Sequence, residues 1–489
     1  MAFIDNTVVN VALPALQASF HATVVDMQWV VESYGLFLGA LILVGGSLGD
    51  LFGRRLVFVL GVAIFAAASA ACGAASSIDA LMAARSIQGV GAALLVPGSL
   101  AIIGSSFAPA DRGQAIGTWS GFTAITTAVG PVLGGWLVEH ASWRWVFFIN
   151  PPIAAVVIAI SLGWIPESRS AVTGRVDWTG AFLATVGLGG LVNGFIESVS
   201  LGWRNPLVFG SVLVGAGCLI AFVWVEAKVS SPMLPLVLFT APGFGGANLL
   251  TLFCYAAIGI FFFLFPLDLI QVQGYSATAT GVAILPQILL LFVLSRWSGG
   301  LVARYGARRP LMVGPVVVAF GLVLLAVPGV GGSYWREFFP AVTVLGLGMA
   351  VTVAPLTTAV MNSVGPDRMG TASGINNAVA RVAGVLAIAA LGIVMVKAFG
   401  FRLDQGLARL RLPADVLQQL QHNRIKLAGL QPPTELDAAS KAAVQACIAG
   451  SFVFAFRIVM LLCAGLSLAS AAVAWRMIPE DRGLRAPGS

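Results

Sequence analysis

Apolar runs of about twenty residues, separated by short polar gaps, fill this chain almost from end to end. Wound as a helix, a run of roughly that length crosses the hydrocarbon of a bilayer. The runs predict fourteen spans, starting with 1–17, 28–48 and 56–76 and closing with 371–399 and 448–476. One gap is long. Residues 400–447 carry Leu407, Leu410, Leu417 and Leu420 in a Leu/Arg/Gln pattern that predicts one or two short amphipathic helices outside the bilayer. The first run is short for a crossing and carries Asp5, so it is expected to be a span whose first turns lie upstream of Met1.

The polar gap after the second run reads Gly45-Gly46-Ser47-Leu48-Gly49-Asp50-Leu51-Phe52-Gly53-Arg54-Arg55, a tight turn between two spans. A weaker copy runs from Gly299 through Gly306 to Arg309, an offset of 253 residues (306 − 53), with Ala303 where the first copy has Asp50. A second pair of landmarks, Asp111-Arg112-Gly113 and Asp367-Arg368-Met369-Gly370, is offset by 256 (368 − 112). Two landmarks in one order at nearly one offset imply duplicated six-helix halves. The halves are expected at 1–165 and 231–489, with an inserted two-helix pair in 166–230 and the long loop 400–447 outside the cytoplasm.

Composition narrows the class. A hydrophobic fraction of 58% and a mean hydropathy of +0.94 exclude an ordinary soluble domain. The net charge of +7 does not point to nucleic acid, because the basic residues sit singly in the gaps between apolar runs. They orient the chain instead. With the N-terminus inside, cytoplasmic segments hold Arg54, Arg55, Arg112, Arg308 and Arg309, whereas the short opposite loops hold only Arg144, Arg204 and Arg336. The 400–447 loop, with several Arg and Lys residues, goes against this count, but both termini are still expected in the cytoplasm. None of the five cysteines has a partner at metal or redox spacing, and no catalytic constellation appears, so an enzyme is not expected.

Several motifs then converge. Asp5-Asn6-Thr7 through Pro14, Gly46 to Arg55, Arg85-Ser86-Ile87-Gln88-Gly89, Gly130-Pro131-Val132-Leu133-Gly134-Gly135 and Trp143-Arg144-Trp145 through Asn150-Pro151 stand in order along the chain. Together they resemble the major facilitator superfamily, specifically its fourteen-helix drug/proton antiporter branch. The resemblance implies an all-α polytopic membrane protein that exports small hydrophobic or cationic compounds in exchange for protons by alternating access. It further implies a multi-pass protein of the cytoplasmic membrane that works as a monomer, binds no nucleic acid and has no cofactor beyond the proton gradient. Proton-coupled uptake of a small solute and a non-transporting membrane protein remain the alternatives. The span-five motif has Thr126 in place of its usual leading glycine, and two departures matter more: Ala303 stands where the first loop has Asp50, and Glu32 where an uncharged polar residue is expected.

Charges inside spans are costly unless paired or solvated, so each is a functional candidate. Asp5, Asn6, Glu32, Arg85, Gln88, Asn376 and Arg381 are the candidates for proton coupling or substrate contact. For Asp5 and Arg85 the competing reading is a static buried ion pair, for Glu32 a bystander at the outer vestibule, and for Asn376 a hydrogen bond between helices. Glu197, Asp268 and Arg296 lie near span ends, where snorkelling to the interface explains them. Gly46, Asp50, Gly53, Arg54, Arg55 and Arg112 form the candidate gating loop, whose charge latch is expected to be stronger in the first half because Ala303 replaces the acid in the second. Gly130, Pro131, Gly134 and Gly135 form the candidate antiport motif, with close packing alone as the competing reading.

Overall fold

In lipid a backbone must satisfy its own hydrogen bonds, and the apolar runs do so as helices. The computed structural model describes residues 1–107, 109–169, 176–229, 232–364, 369–410 and 412–480. In chain order the helices are α1 (Ala2–Phe20), α2 (Val24–Phe52), α3 (Arg54–Ala74), α4 (Ile78–Ser106), α5 (Pro109–His140) and the broken pair α6 (Trp145–Phe148) and α7 (Asn150–Trp164). Then follow α8 (Trp178–Glu197), α9 (Pro206–Glu226), α10 (Phe244–Leu267), α11 (Ala277–Tyr305), α12 (Arg308–Leu325) and α13 (Phe339–Asn362). The last are α14 (Met369–Leu407), α15 (Ala414–His422) and α16 (Ala438–Met477). Among the described residues, 12 helical stretches are long and apolar enough to cross a membrane. With α1 and the 32-residue α5, the fold is the all-α polytopic bundle expected from the fourteen runs.

Polar gap residues start these helices. Thr23 and Asp26 form a reciprocal capping box at the head of α2, Thr23 N–H donating to the Asp26 carboxylate at 2.7 Å and Asp26 N–H to the Thr23 hydroxyl at 3.2 Å. Ser77, Asp177, Ser276 and Asp437 cap α4, α8, α11 and α16 in the simpler one-sided way. Gly53 and Gly306 end α2 and α11 with positive φ of 121° and 73°, a region closed to most side chains. The residues that measured the repeat therefore occupy equivalent turns.

Helices α1 to α7 pack as one set and α10 to α14 with α16 as the other. Contact between the sets is reciprocal: the second helix of the first, α2, lies on α14, while α5 lies on α11, the second span of the other set. The inserted α8 and α9 pack on each other, and α8 also lies in the seam between α2 and α14.

The long gap differs from expectation. α14 continues to Leu407 rather than stopping near 399, because Phe399, Leu403 and Leu407 are fully buried in the same core as Val444 and Ile448 of α16. Between these helices lie α15, seated by its buried Val416 and Leu420, and a turn of 3₁₀ helix at Arg424–Gly429. Residues 408–437 mark one end of the bundle, the loop end; Gly53 and Gly306 mark the other.

Candidate functional site

One buried polar cluster joins five helices. Asp5 sits a little over a turn into α1 and is fully buried. Arg85 of α4, 1% exposed, donates from Nη1 to Asp5 Oδ2 at 2.5 Å and to Gln88 Oε1 at 2.8 Å. Gln88 lies one turn further on the same face of α4, and its Nε2 donates to Asp5 Oδ1 at 2.8 Å. The remaining contacts orient the guanidinium: Arg85 Nε donates to the Val30 carbonyl of α2 at 3.1 Å, and its plane lies 4.4 Å above the Tyr34 ring. Asp5, Arg85 and Gln88, singled out from the sequence, are thus brought into one unit.

Two further members were not singled out. Asn150, at the break between α6 and α7, donates from Nδ2 to Asp5 Oδ1 at 3.4 Å and to Ser69 Oγ of α3 at 3.0 Å. Ser69 in turn donates to the Phe147 carbonyl beside that break at 2.8 Å. The signal was present, since Asn150 stands within the Trp143–Pro151 motif.

Glu32 is placed otherwise. It is fully buried, and among the described residues neither carboxylate oxygen has a hydrogen-bond partner. Asn376 donates to Asn248 Oδ1 at 3.1 Å and Thr251 Oγ1 at 2.6 Å, tying α14 to α10. Arg381, half-buried, makes no ion pair among the described residues; its Cβ lies 3.5 Å from where a Cβ would stand on Gly39 of α2. The side chains of Asn6, Arg112, Arg296 and Ala303 lie outside the described residues, as does Arg368. Asp268, expected to reach the interface, is instead 2% exposed in a π-helical turn after α10. Glu197 accepts from Trp29 Nε1 at 3.0 Å, and Arg457 donates to the Val327 and Pro328 carbonyls.

In the turn at the Gly53 end, Asp50 accepts from Arg54 Nη2 at 2.9 Å, one helical turn apart. Arg55 reaches out of the turn, donating from Nη1 to the Ile165 carbonyl at 2.9 Å with its Nε 3.8 Å from Glu167. The Glu167 carboxylate also accepts the backbone N–H groups of Arg55 and Leu56 at 3.0 and 3.1 Å, capping the positive end of α3 from a different segment. The second half repeats only the arginine–glutamate pair: Arg308, the counterpart of Arg55, donates to Glu480 at 2.7 Å. Gly46 is loosely packed, with Pro97 the nearest neighbour of a Cβ built there at 3.8 Å.

The glycine-rich stretch of α5 serves two neighbours. Cβ atoms at Gly130 and Gly134 would meet Thr7 and Val8 of α1; one at Gly135 would strike Ala277 and lie 2.7 Å from Thr278 Cα of α11. From the other side, a Cβ on Gly281 would strike the Pro131 carbonyl. Close α5–α11 approach therefore needs Gly135 and Gly281 together.

Side-chain bonds tie the two sets together toward the loop end. Gln17 Nε2 of α1 donates to the Lys426 carbonyl at 3.0 Å, and Gln271 Nε2 to Gln17 Oε1 at 2.8 Å. Thr278 N–H donates to Glu139 at 3.2 Å, and Gln28 Nε2 to the Ile388 carbonyl at 2.9 Å. Beneath the 408–437 roof a cavity of about 620 Å³ remains, lined by Gln17, His21, Gln271, Gln419 and Lys426 among others.

Paired six-helix sets around buried polar groups, with helices enough for many crossings, define a membrane carrier. The family model of the Major Facilitator Superfamily matches residues 1–388, and the chain belongs to that family of transporters. It is 33% identical to the multidrug resistance protein Stp of Mycobacterium tuberculosis, covering 98% of this chain and 90% of that protein. It is 30% identical to the tetracenomycin C resistance and export protein of Streptomyces glaucescens, covering 100% and 91%. Among solved structures, a bacterial homolog of the human lysosomal transporter Spinster shares the fold with a TM-score of 0.65 at 16% identity, over 98% of this chain and 96% of that one.

Proposed function

We propose that this transporter exports small hydrophobic or cationic compounds across the cytoplasmic membrane in exchange for protons, as a monomer with both termini in the cytoplasm. The resistance and export proteins it resembles over nearly its whole length support the direction and the class of cargo. The observation that carries proton coupling is the Asp5–Arg85–Gln88–Asn150 cluster. A carboxylate held by a guanidinium and two amides, all inside the bundle, can change its proton occupancy only when that cluster rearranges. Alternating access supplies such a rearrangement.

In this reading residues 1–165 and 231–489 are the two moving bodies, 166–230 is the inserted pair, and the 408–437 roof lies outside the cell. The structure is then the state closed toward the outside. Asp50, Arg54 and Arg55 hold the inner turn, with Arg112 as a partner in other states, and the Gly130–Gly135 stretch lets α5 close on α11. Asn376 and Arg381 flank the path of the substrate.

The test is proton flux in everted membrane vesicles. Adding a transported compound to energised vesicles is expected to dissipate part of the proton gradient, and Asp5→Asn is expected to abolish that response. A normal response from Asp5→Asn would remove Asp5 from the coupling role; no response from the wild type across a broad compound panel would overturn antiport itself.

A further inference from the structure

α2 turns one stripe of residues toward α14. Gln28 donates to the Ile388 carbonyl and touches Gly392, a Cβ on Gly35 would lie 2.9 Å from Val385 Cγ2, and one on Gly39 lies over Arg381. A neighbouring stripe, Val25, Trp29, Leu36 and Ala40, packs against Val192, Ile196 and Leu188 of α8. Glu32 falls where the two stripes meet, four residues after Gln28 and three after Trp29. It therefore lies in the seam where α2, α8 and α14 converge, and this seam must part when the loop end opens.

Among the described residues, the surroundings offer the carboxyl no counter-charge. On α2 itself, Asp26 caps the helix with Thr23, and the Tyr34 ring lies under Arg85. Arg85 of α4 is committed to Asp5. On α8, Glu197 is taken by Trp29 and Ser200. In the turn below the roof, Arg424 pairs with Asp404, and Lys426 lends only its carbonyl. On α14, Arg381 lies against Gly39, two turns further toward the Gly53 end, and Lys397 lies beyond Gly392 toward the loop end. Both Glu32 oxygens are left without a partner at 0% exposure. An ionised carboxylate is not sustained in such a place, whereas a neutral one is.

We propose that Glu32 is a second proton-binding site, separate from the Asp5 cluster, whose protonation from the loop side is required for α2 to close on α14 and α8. Proton occupancy at Glu32 then biases which end of the carrier is open. The inference rests on the alternating-access reading above and adds to it a group that binds its proton at the moving contact itself. When the loop end is parted, water reaches the carboxyl and it ionises freely; when it closes, the proton is trapped and the seam is neutral.

The test is single-molecule fluorescence distance measurement on the full-length protein in nanodiscs. Click-reactive residues at the exposed Ala141 and Ala408, one at the loop end of each set, carry the dyes and leave the native cysteines in place. The wild type is expected to shift from the long to the short distance as pH falls. Glu32→Gln, neutral at every pH, is expected to stay short throughout, and Glu32→Met serves if glutamine is not accepted in the apolar seam. Glu32→Asp, which keeps an ionisable group, is expected to retain the shift. A wild-type-like shift in the neutral variants, or no shift in the wild type, overturns the proposal. A wild type that closes with pH yet exchanges no protons for substrate would keep this inference and overturn antiport.

Discussion

Arg85 spends its guanidinium on a carboxylate, an amide, a backbone carbonyl and an aromatic face, which is why it can sit 1% exposed inside the bundle. Removing one member of such a pair leaves the other charge buried and uncompensated, which costs about 3–5 kcal/mol, whereas removing both charges costs far less. Asp5→Asn and Arg85→Gln are each expected to lower the thermal unfolding temperature in detergent clearly, and the double change to lower it by less than the sum. Strictly additive losses would mean that the two side chains do not act as a pair. This pairing was half legible in the sequence. Intramembrane charge marked Asp5 and Arg85, and helical spacing put Gln88 beside Arg85. Nothing in the spacing could bring Asn150 and Ser69 from two other helices onto the same site, because that depends on how α3 and the α6–α7 break pack.

At the scale of the element, the turns after α2 and α11 are each held by a glutamate from a distant segment. The tripeptide Ile165-Pro166-Glu167 recurs as Ile478-Pro479-Glu480, and each glutamate meets the arginine two residues past the turn glycine. The recurrence escapes a search at the 253-residue offset because it stands 313 residues apart (478 − 165); the second half carries the extended α14 and α16 and the roof between them. Glu167 caps two N–H groups of α3 as well as facing Arg55, while Glu480 is a surface partner with its side chain 72% exposed. Glu167→Ala is therefore expected to destabilise the first turn of α3 by about 1 kcal/mol, the usual worth of a helix cap. It should appear as faster amide exchange over residues 54–58, with a smaller effect at 308–311 from Glu480→Ala. Equal effects would show that pairing with the arginine, rather than capping, is what matters. The expected asymmetry between the two turns thus has a second source besides the acid at Asp50.

Across the whole molecule, α2 packs on α14 and α5 on α11, and in the alternating-access reading proposed above these two contacts set which end is closed. The second depends on Gly135 and Gly281, whose missing Cβ atoms let the backbones meet. Gly135→Val is expected to hold α5 off α11, to shift the Ala141–Ala408 distance toward the open value and to block transport. The fold should persist, because overpacking at a helix contact costs roughly 1–3 kcal/mol. Unchanged distances would show that α5 and α11 tolerate the side chain and that the motif has another purpose.

The sequence alone determined the all-α membrane-crossing architecture and displayed the repeated landmarks, because these follow from the length of apolar runs and from motifs repeated along one dimension. It also marked which charges were out of place. Only the tertiary structure decided which groups those charges meet, since partners come from helices far apart in the chain. It gave Asp5 an arginine and two amides, left Glu32 with no partner in a seam of three helices, and extended α14 past its apolar run by burying Leu403 and Leu407 in the core shared with α16. Hydrophobic length is a local property and can be read along the chain; the pairing of a buried charge depends on packing between distant segments.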